Sequence, residues 1–186
     1  MSRPKPDCFI PPKGVIADSA SILSNCTITA NESGPGQDGG GILHAAGSLT
    51  LLQCAIRGNA TRGYLGMHNS GNGGRGGGVF HKGGSLLLTD CEVTENQTGI
   101  NCPLAHGGGI YAEGTDAILS NCWINANSTG SGNGGWGGGL CNAAGSLTIL
   151  DCVISTNVTG SGVYVGGHGG GIYHAGAAAS IVGTLI

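Results

Sequence analysis

Short alternations of apolar and polar residues recur along the chain, and none lasts long enough for a helix. Leu49-Thr-Leu51 and Leu147-Thr-Ile149 alternate with period two. So do Cys54 and Ile56, Cys91 and Val93, Cys122 and Ile124, and Cys152 and Ile154, each pair lying two residues apart. That spacing sends both members of a pair to one face of a strand. Before each alternation stands one apolar residue directly after a glycine run: Ile42, Val79, Ile110, Leu140 and Ile172. Glycine at the segment boundaries argues further against helices and for strands joined by turns.

The alternations belong to a repeat. Runs of three glycines end at Gly41, Gly78, Gly109, Gly139 and Gly171, separated by 37, 31, 30 and 32 residues. Thirteen residues after the first four of these glycines come Cys54, Cys91, Cys122 and Cys152, and five residues after each Cys come Asn59, Asn96, Asn127 and Asn157. Cys26 and Asn31 keep the five-residue step and form a partial first unit. Length varies only between the Asn and the next glycine run, which makes the constant segments scaffold and the variable ones loops on one side of a stack. A strand with one apolar face cannot bury it alone, but rungs stacked about 4.8 Å apart share a core. The expected fold is all-β, a right-handed parallel β-helix of about five rungs of about thirty residues. Residues 1–13 are read as a tail or cap, and 14–186 as one domain.

Stacking turns each repeated residue into a column. The Cys column reads as buried free thiols, because like-directed side chains on successive rungs do not meet disulfide geometry. The Asn column is expected at a turn, hydrogen-bonded to the Asn above and below. Every ladder Asn is also followed two positions later by Ser or Thr. These are formal glycosylation sequons, but an amide engaged in a ladder cannot accept a glycan.

Composition narrows the picture. Forty of 186 residues are Gly and 9% are charged, values that suggest low complexity until the regular spacing is seen. A net charge of −3 with scattered Lys and Arg gives no basic stripe for nucleic acid. No apolar stretch approaches the roughly 20 residues of a membrane-spanning helix, and the start of the chain lacks the apolar core of a signal peptide.

Gly-Gly-Gly-Ile followed by Cys-x-Ile-x-x-Asn, from about Ile22 to Ile181, resembles the repeats of the pectate-lyase-like β-helix superfamily. Within it, the repeat is similar to that of polymorphic outer-membrane, autotransporter-type surface proteins, with Ile or Val here where those carry Phe. The resemblance implies an extracellular or cell-surface location and a scaffold that hosts both enzymes and adhesins.

Stacked rungs bring a few polar residues together. Asp90 and Glu92 flank Cys91 two residues apart, roughly 6 to 7 Å, a separation suited to paired-carboxylate sugar chemistry, with Arg57 as a basic partner. Trp123 follows one rung on in the column of Glu92 and offers a stacking face. The bland alternative is an outer face with scattered charge. Asp38, Arg75, His106, Trp136 and His168 stand just before the glycine runs and form a mixed column at the loop bases, more like a binding surface than a catalytic constellation. The longest insertion, Ala60 to Arg75, adds Arg62, Tyr64 and His68 to the binding candidates and is expected to be mobile. His44 and His81 are expected to stack as neighbours, without a third ligand for a metal. No cofactor is expected. The resulting reading is a non-catalytic surface module binding glycan or protein through its loop side, with a carbohydrate-active enzyme or a structural spacer as alternatives. The last rung is expected to stop short of its Cys strand, which suggests a fragment prone to end-to-end association.

Overall fold

The computed structural model describes residues 8–10, 15–63, 73–99, 105–114, 116–130, 134–160 and 167–186. Tyr64 and His68 lie outside them. The chain winds as a parallel β-solenoid of about four turns with three six-stranded sheets. The cysteine sheet stacks Cys8–Ile10, Cys26–Thr29, Ala55–Arg57, Glu92–Thr94, Trp123–Asn125 and Val153–Ser155. The glycine sheet follows each glycine run and stacks Val15–Ala17, Ile42–His44, Val79–Lys82, Ile110–Glu113, Leu140–Asn142 and Ile172–His174. The leucine sheet stacks Ser21–Ser24, Leu49–Leu52, Leu86–Thr89, Ala117–Ser120, Ser146–Leu150 and Ala178–Val182. Among the described residues no helix is long and apolar enough to cross a membrane.

Each sheet sends one face inward, and like meets like along the axis. Val93 pairs with Ile56 and Ile124, Leu88 with Leu51 and Leu119, and Val79 with Ile42 and Ile110. These residues form one continuous apolar core. Cys26, Cys54, Cys91, Cys122 and Cys152 are buried beside them as free thiols, in the expected inward column. Cys91 Sγ donates to the carbonyls of Thr89 and Leu51 at 3.2 and 3.3 Å, so the thiols are also partnered. Contact with the neighbouring thiols of Cys122 and Cys54, followed by burial, raises the pKa of Cys91.

The glycine run has a separate reason at each position, seen at residues 107–109. Gly107 takes φ 66°, in the left-handed region. A Cβ on Gly108 would meet the Gly138 carbonyl oxygen at 2.4 Å, and one on Gly109 would come within 2.9 Å of the Asn127 amide carbon. The run therefore turns the chain and lets rungs close against each other. Other corners place ordinary residues in the left-handed region, including Asn25, Gln53, Asp90, Asn121 and Asp151 in one column, φ 50 to 53°. Asn and Asp tolerate that conformation best.

The Asn ladder is fully engaged. Asn96 Oδ1 accepts the backbone N–H and the amide N–H of Asn59 at 3.0 and 2.9 Å, while its own Nδ2 donates to Ile56 O and to Asn127 Oδ1 at 2.9 and 3.0 Å. A second polar ladder follows it. Thr61, Thr98 and Thr129 are buried, and their hydroxyls accept from the backbone N–H groups of Gly99, Gly130 and Gly160 on the next rung. Those threonines are the third residues of the sequons, so burial of both positions keeps the Asn59, Asn96 and Asn127 amides from being glycan acceptors in the folded chain. They also correct the loop boundary. Ala60–Arg62 is still a strand, paired with Glu32–Pro35, because the Thr column extends the scaffold two residues past the Asn.

Both ends carry more of the repeat than its spacing announces. Cys8 pairs with Cys26, so the cysteine sheet reaches into the segment read as a tail or cap. At the other end Leu185 pairs with Val153, and Thr184 stands in the Cys column with its hydroxyl accepting from Cys152 N–H at 3.2 Å. The last rung thus enters its cysteine strand with Thr in place of Cys.

Candidate functional site

The loop-base column lies beside the outward face of the glycine sheet, and the two build a groove along the solenoid axis. The outward positions of that sheet are Leu43, Phe80, Tyr111, Cys141 and Tyr173, one per rung. Phe80 and Tyr111 stack at 5.5 Å with an interplanar angle of 2°. From the loop-base column, His106 stacks on Trp136 at 4.5 Å and 13°, and Trp136 stacks on Tyr173 at 4.8 Å and 26°. His168 is tilted against Trp136 at 6.5 Å. A cleft of about 350 Å³ opens here, lined by Asp38, Arg75, His106, Tyr111, Trp136 and Cys141 among others.

Arg75 organises one end. Its Nε and one Nη donate to the two Asp38 oxygens at 3.2 and 2.9 Å, and the other Nη donates to Tyr111 Oη at 3.2 Å and Glu113 Oε2 at 3.3 Å. Its Cζ lies 5.0 and 4.9 Å from the Phe80 and Tyr111 ring centres, within cation–π range. Burial opposes its charge, but the bonds to Asp38 and Tyr111 prevail and the pKa is raised. His106 is driven the other way, to about 4, by burial and then by the Arg75 charge. Its Nδ1 accepts the Trp136 backbone N–H at 3.1 Å, so the neutral ring carries its hydrogen on Nε2. Beneath the groove, burial pushes the Cys141 thiol up to about 12, which leaves it protonated.

Arg75, His106, Trp136 and His168 are therefore brought together as neighbours. Arg62 is set apart with Glu32, Nε to Oε1 at 2.6 Å. Trp123 belongs to the cysteine sheet and stands 50% exposed over a second hollow of about 390 Å³, with Asp90, Glu92, Asn121 and Asp151. Asp90 sits at a left-handed corner and accepts from Asn121 Nδ2, whereas Glu92 lies within the sheet and is ion-paired with Arg57. The three residues considered for catalysis are thus divided between two partnerships. Phe80, Tyr111, Tyr173 and Glu113 were missed as site residues. The available signal was the ring-bearing bias two positions after the glycine runs.

His44 and His81 stack inside the solenoid, 5.0 Å between ring centres, with their Nδ1 atoms 3.1 Å apart. His44 Nε2 meets Ser19 O at 2.8 Å. The pair shares a hydrogen within the core, and no group of three metal-ligating side chains gathers among the described residues.

No family model, no curated protein and no solved structure matches this chain. The resemblance of its motifs to pectate-lyase-like and autotransporter-type proteins is carried by the fold as far as a parallel β-solenoid.

Proposed function

We propose that the protein is a non-catalytic, extracellular or cell-surface binding module that takes a glycan in the groove at the base of its loops. The observation that supports this most is the convergence of Arg75, His106 and Trp136 with Tyr111 in one cleft on an otherwise repetitive scaffold. Such a cleft combines an apolar floor with a few fixed polar groups, the usual form of a small-ligand site. Glycan-array screening of the wild type beside Trp136→Ala tests the reading. Retained binding to one glycan class, lost in the variant, is the expected result, and no bound glycan sinks it.

A carbohydrate-active enzyme is the second reading, favoured by the hollow where Asp90 and Asp151 flank the exposed Trp123. Incubation with uronic-acid and neutral polysaccharides, with calcium, decides between the two. Release of reducing or unsaturated ends, abolished in Asp151→Asn, would replace the binding-module reading.

A further inference from the structure

The charge of the groove ligand follows from how the groove's own charges are spent. Arg75 lines the cleft, yet its edge is held by Asp38 at 2.9 Å and Glu113 at 3.3 Å, and Phe80 and Tyr111 lie against its guanidinium. Lys82 Nζ stands 3.7 Å from the other Glu113 oxygen. Two cations, Arg75 and Lys82, thus face two carboxylates, Asp38 and Glu113, and the local sum is zero. Arg62 and Glu32 cancel in the same way farther along the loop side. His106 is neutral at physiological pH.

An anionic sugar entering this cleft would meet Asp38 in its wall, and would have to take Arg75 from Asp38 and from Glu113 behind it to find a cation. Separating a part-buried ion pair leaves one partner uncompensated, which disfavours that ligand strongly. A hydroxyl both donates and accepts, so it suits a wall that sets the donor-bearing rings of His106 and Trp136 beside the Asp38 carboxylate. An extended peptide is less well served. Strand backbone groups along the side of a solenoid are paired with the rungs above and below, so the groove offers no open strand edge for main-chain pairing.

The geometry points to an uncharged, hydroxyl-rich glycan chain lying along the solenoid axis as the ligand of this groove, an inference that rests on the glycan-binding reading above. Asp38 and Glu113 then act as specificity residues that exclude acidic sugars by keeping Arg75 occupied.

Calorimetric titration of the full chain with cellohexaose, xylohexaose and mannohexaose, against hexagalacturonate, tests it. At least one neutral hexaose is expected to bind about tenfold or more tightly than the uronate. That affinity is expected to change little between low and high salt. Asp38→Asn with Glu113→Gln frees Arg75 without changing side-chain size, and is expected to raise hexagalacturonate affinity about tenfold. Uronate binding by the wild type at equal or higher affinity overturns the neutral-ligand inference while leaving the glycan reading in place. Absence of a gain in the double variant, with its circular dichroism intact, also overturns it. Binding of an extended peptide and of neither sugar class removes both readings.

Discussion

The inward columns and the loop-base column are built by the same repeat, yet they obey opposite rules. In the Asn ladder a rung accepts the residue its neighbours carry: Asn59 meets Asn96, which meets Asn127, and each supplies both the acceptor and the donors the next requires. At the loop base the same rung-to-rung contact joins Asp38 to Arg75, His106 to Trp136, and Trp136 to His168. The difference lies in what closes the hydrogen-bond account. An amide of the Asn ladder is sealed from water and is satisfied by its own kind and by the backbone of the neighbouring rung. A loop-base side chain is partly wet, so unlike neighbours can be used and a site can diversify without disturbing the stack.

Substitutions that violate the inward rule are expected to do the greatest damage. Gly108→Ala drives a Cβ against the Gly138 carbonyl and the Ser128 backbone at 2.4 and 2.5 Å, with backbone on both sides and no flexible side chain to yield. A loss of about 4 kcal/mol or failure to fold is expected. Urea denaturation that finds less than about 1 kcal/mol would mean that rungs slide apart easily. Asn96→Ala comes next, removing the acceptor of the buried Asn59 N–H and one donor to the Ile56 carbonyl, at about 3 kcal/mol. If Asn96→Ala were no worse than a loop-base change, the contrast between the two columns would collapse.

Acid separates the regions in another way. Burial, and then the His44 ring, hold His81 down to about 4, against 6.5 for an ordinary imidazole. Between about pH 6.5 and 4 the unfolded chain therefore binds a proton that the folded chain refuses. Stability from this source is complete above the window and falls as pH drops through it, by roughly 3 kcal/mol. His106, also held to about 4, adds to the same slope. Replacing His81 with Ala, the residue at position 112 of its column, should flatten the dependence of the urea midpoint on pH across this range. An unchanged slope would place the acid sensitivity elsewhere.

At the loop base, Trp136→Ala is expected to cost about 1 to 2 kcal/mol of stability, because the stack it leaves is half open to water. Its effect on ligand binding is expected to be larger than its effect on folding. The smallest change expected is a gain. Ala126 occupies the left-handed region at φ 54°, where the corresponding corner two rungs earlier has Gly58 at φ 59°. Ala126→Gly relieves the Cβ at the cost of chain entropy and should stabilise by about 0.5 kcal/mol. A loss there would show that the corner is held by contacts rather than by local conformation.

Much of this was legible along the chain because a solenoid repeats its environment. Equal spacing from Gly109 to Cys122 and Gly139 to Cys152 can only survive if each rung has the same path, so strand type, inward columns and the Asn ladder could be read from intervals. The spacing also identified the loop-base column of Arg75, His106, Trp136 and His168 as neighbours. Irregular members were hidden. Thr184 in the Cys column and Cys8 ahead of the first Asn break the counted pattern, and only pairing with Cys152 and Cys26 reveals them.

Sequence alone determined which residues stand above one another, since that depends on the period along the axis. Tertiary structure decided which columns stand side by side around the axis, since that depends on how sharply each corner turns. The left-handed corners at Asp90 and Asn121 gave Asp90 the Asn121 amide as partner while Glu92, within the sheet, took Arg57, and the glycine turns brought the Tyr111 column against the column of Arg75. Corner angles are set by φ values and rung-to-rung contact together, and neither leaves a periodic mark in the order of the residues.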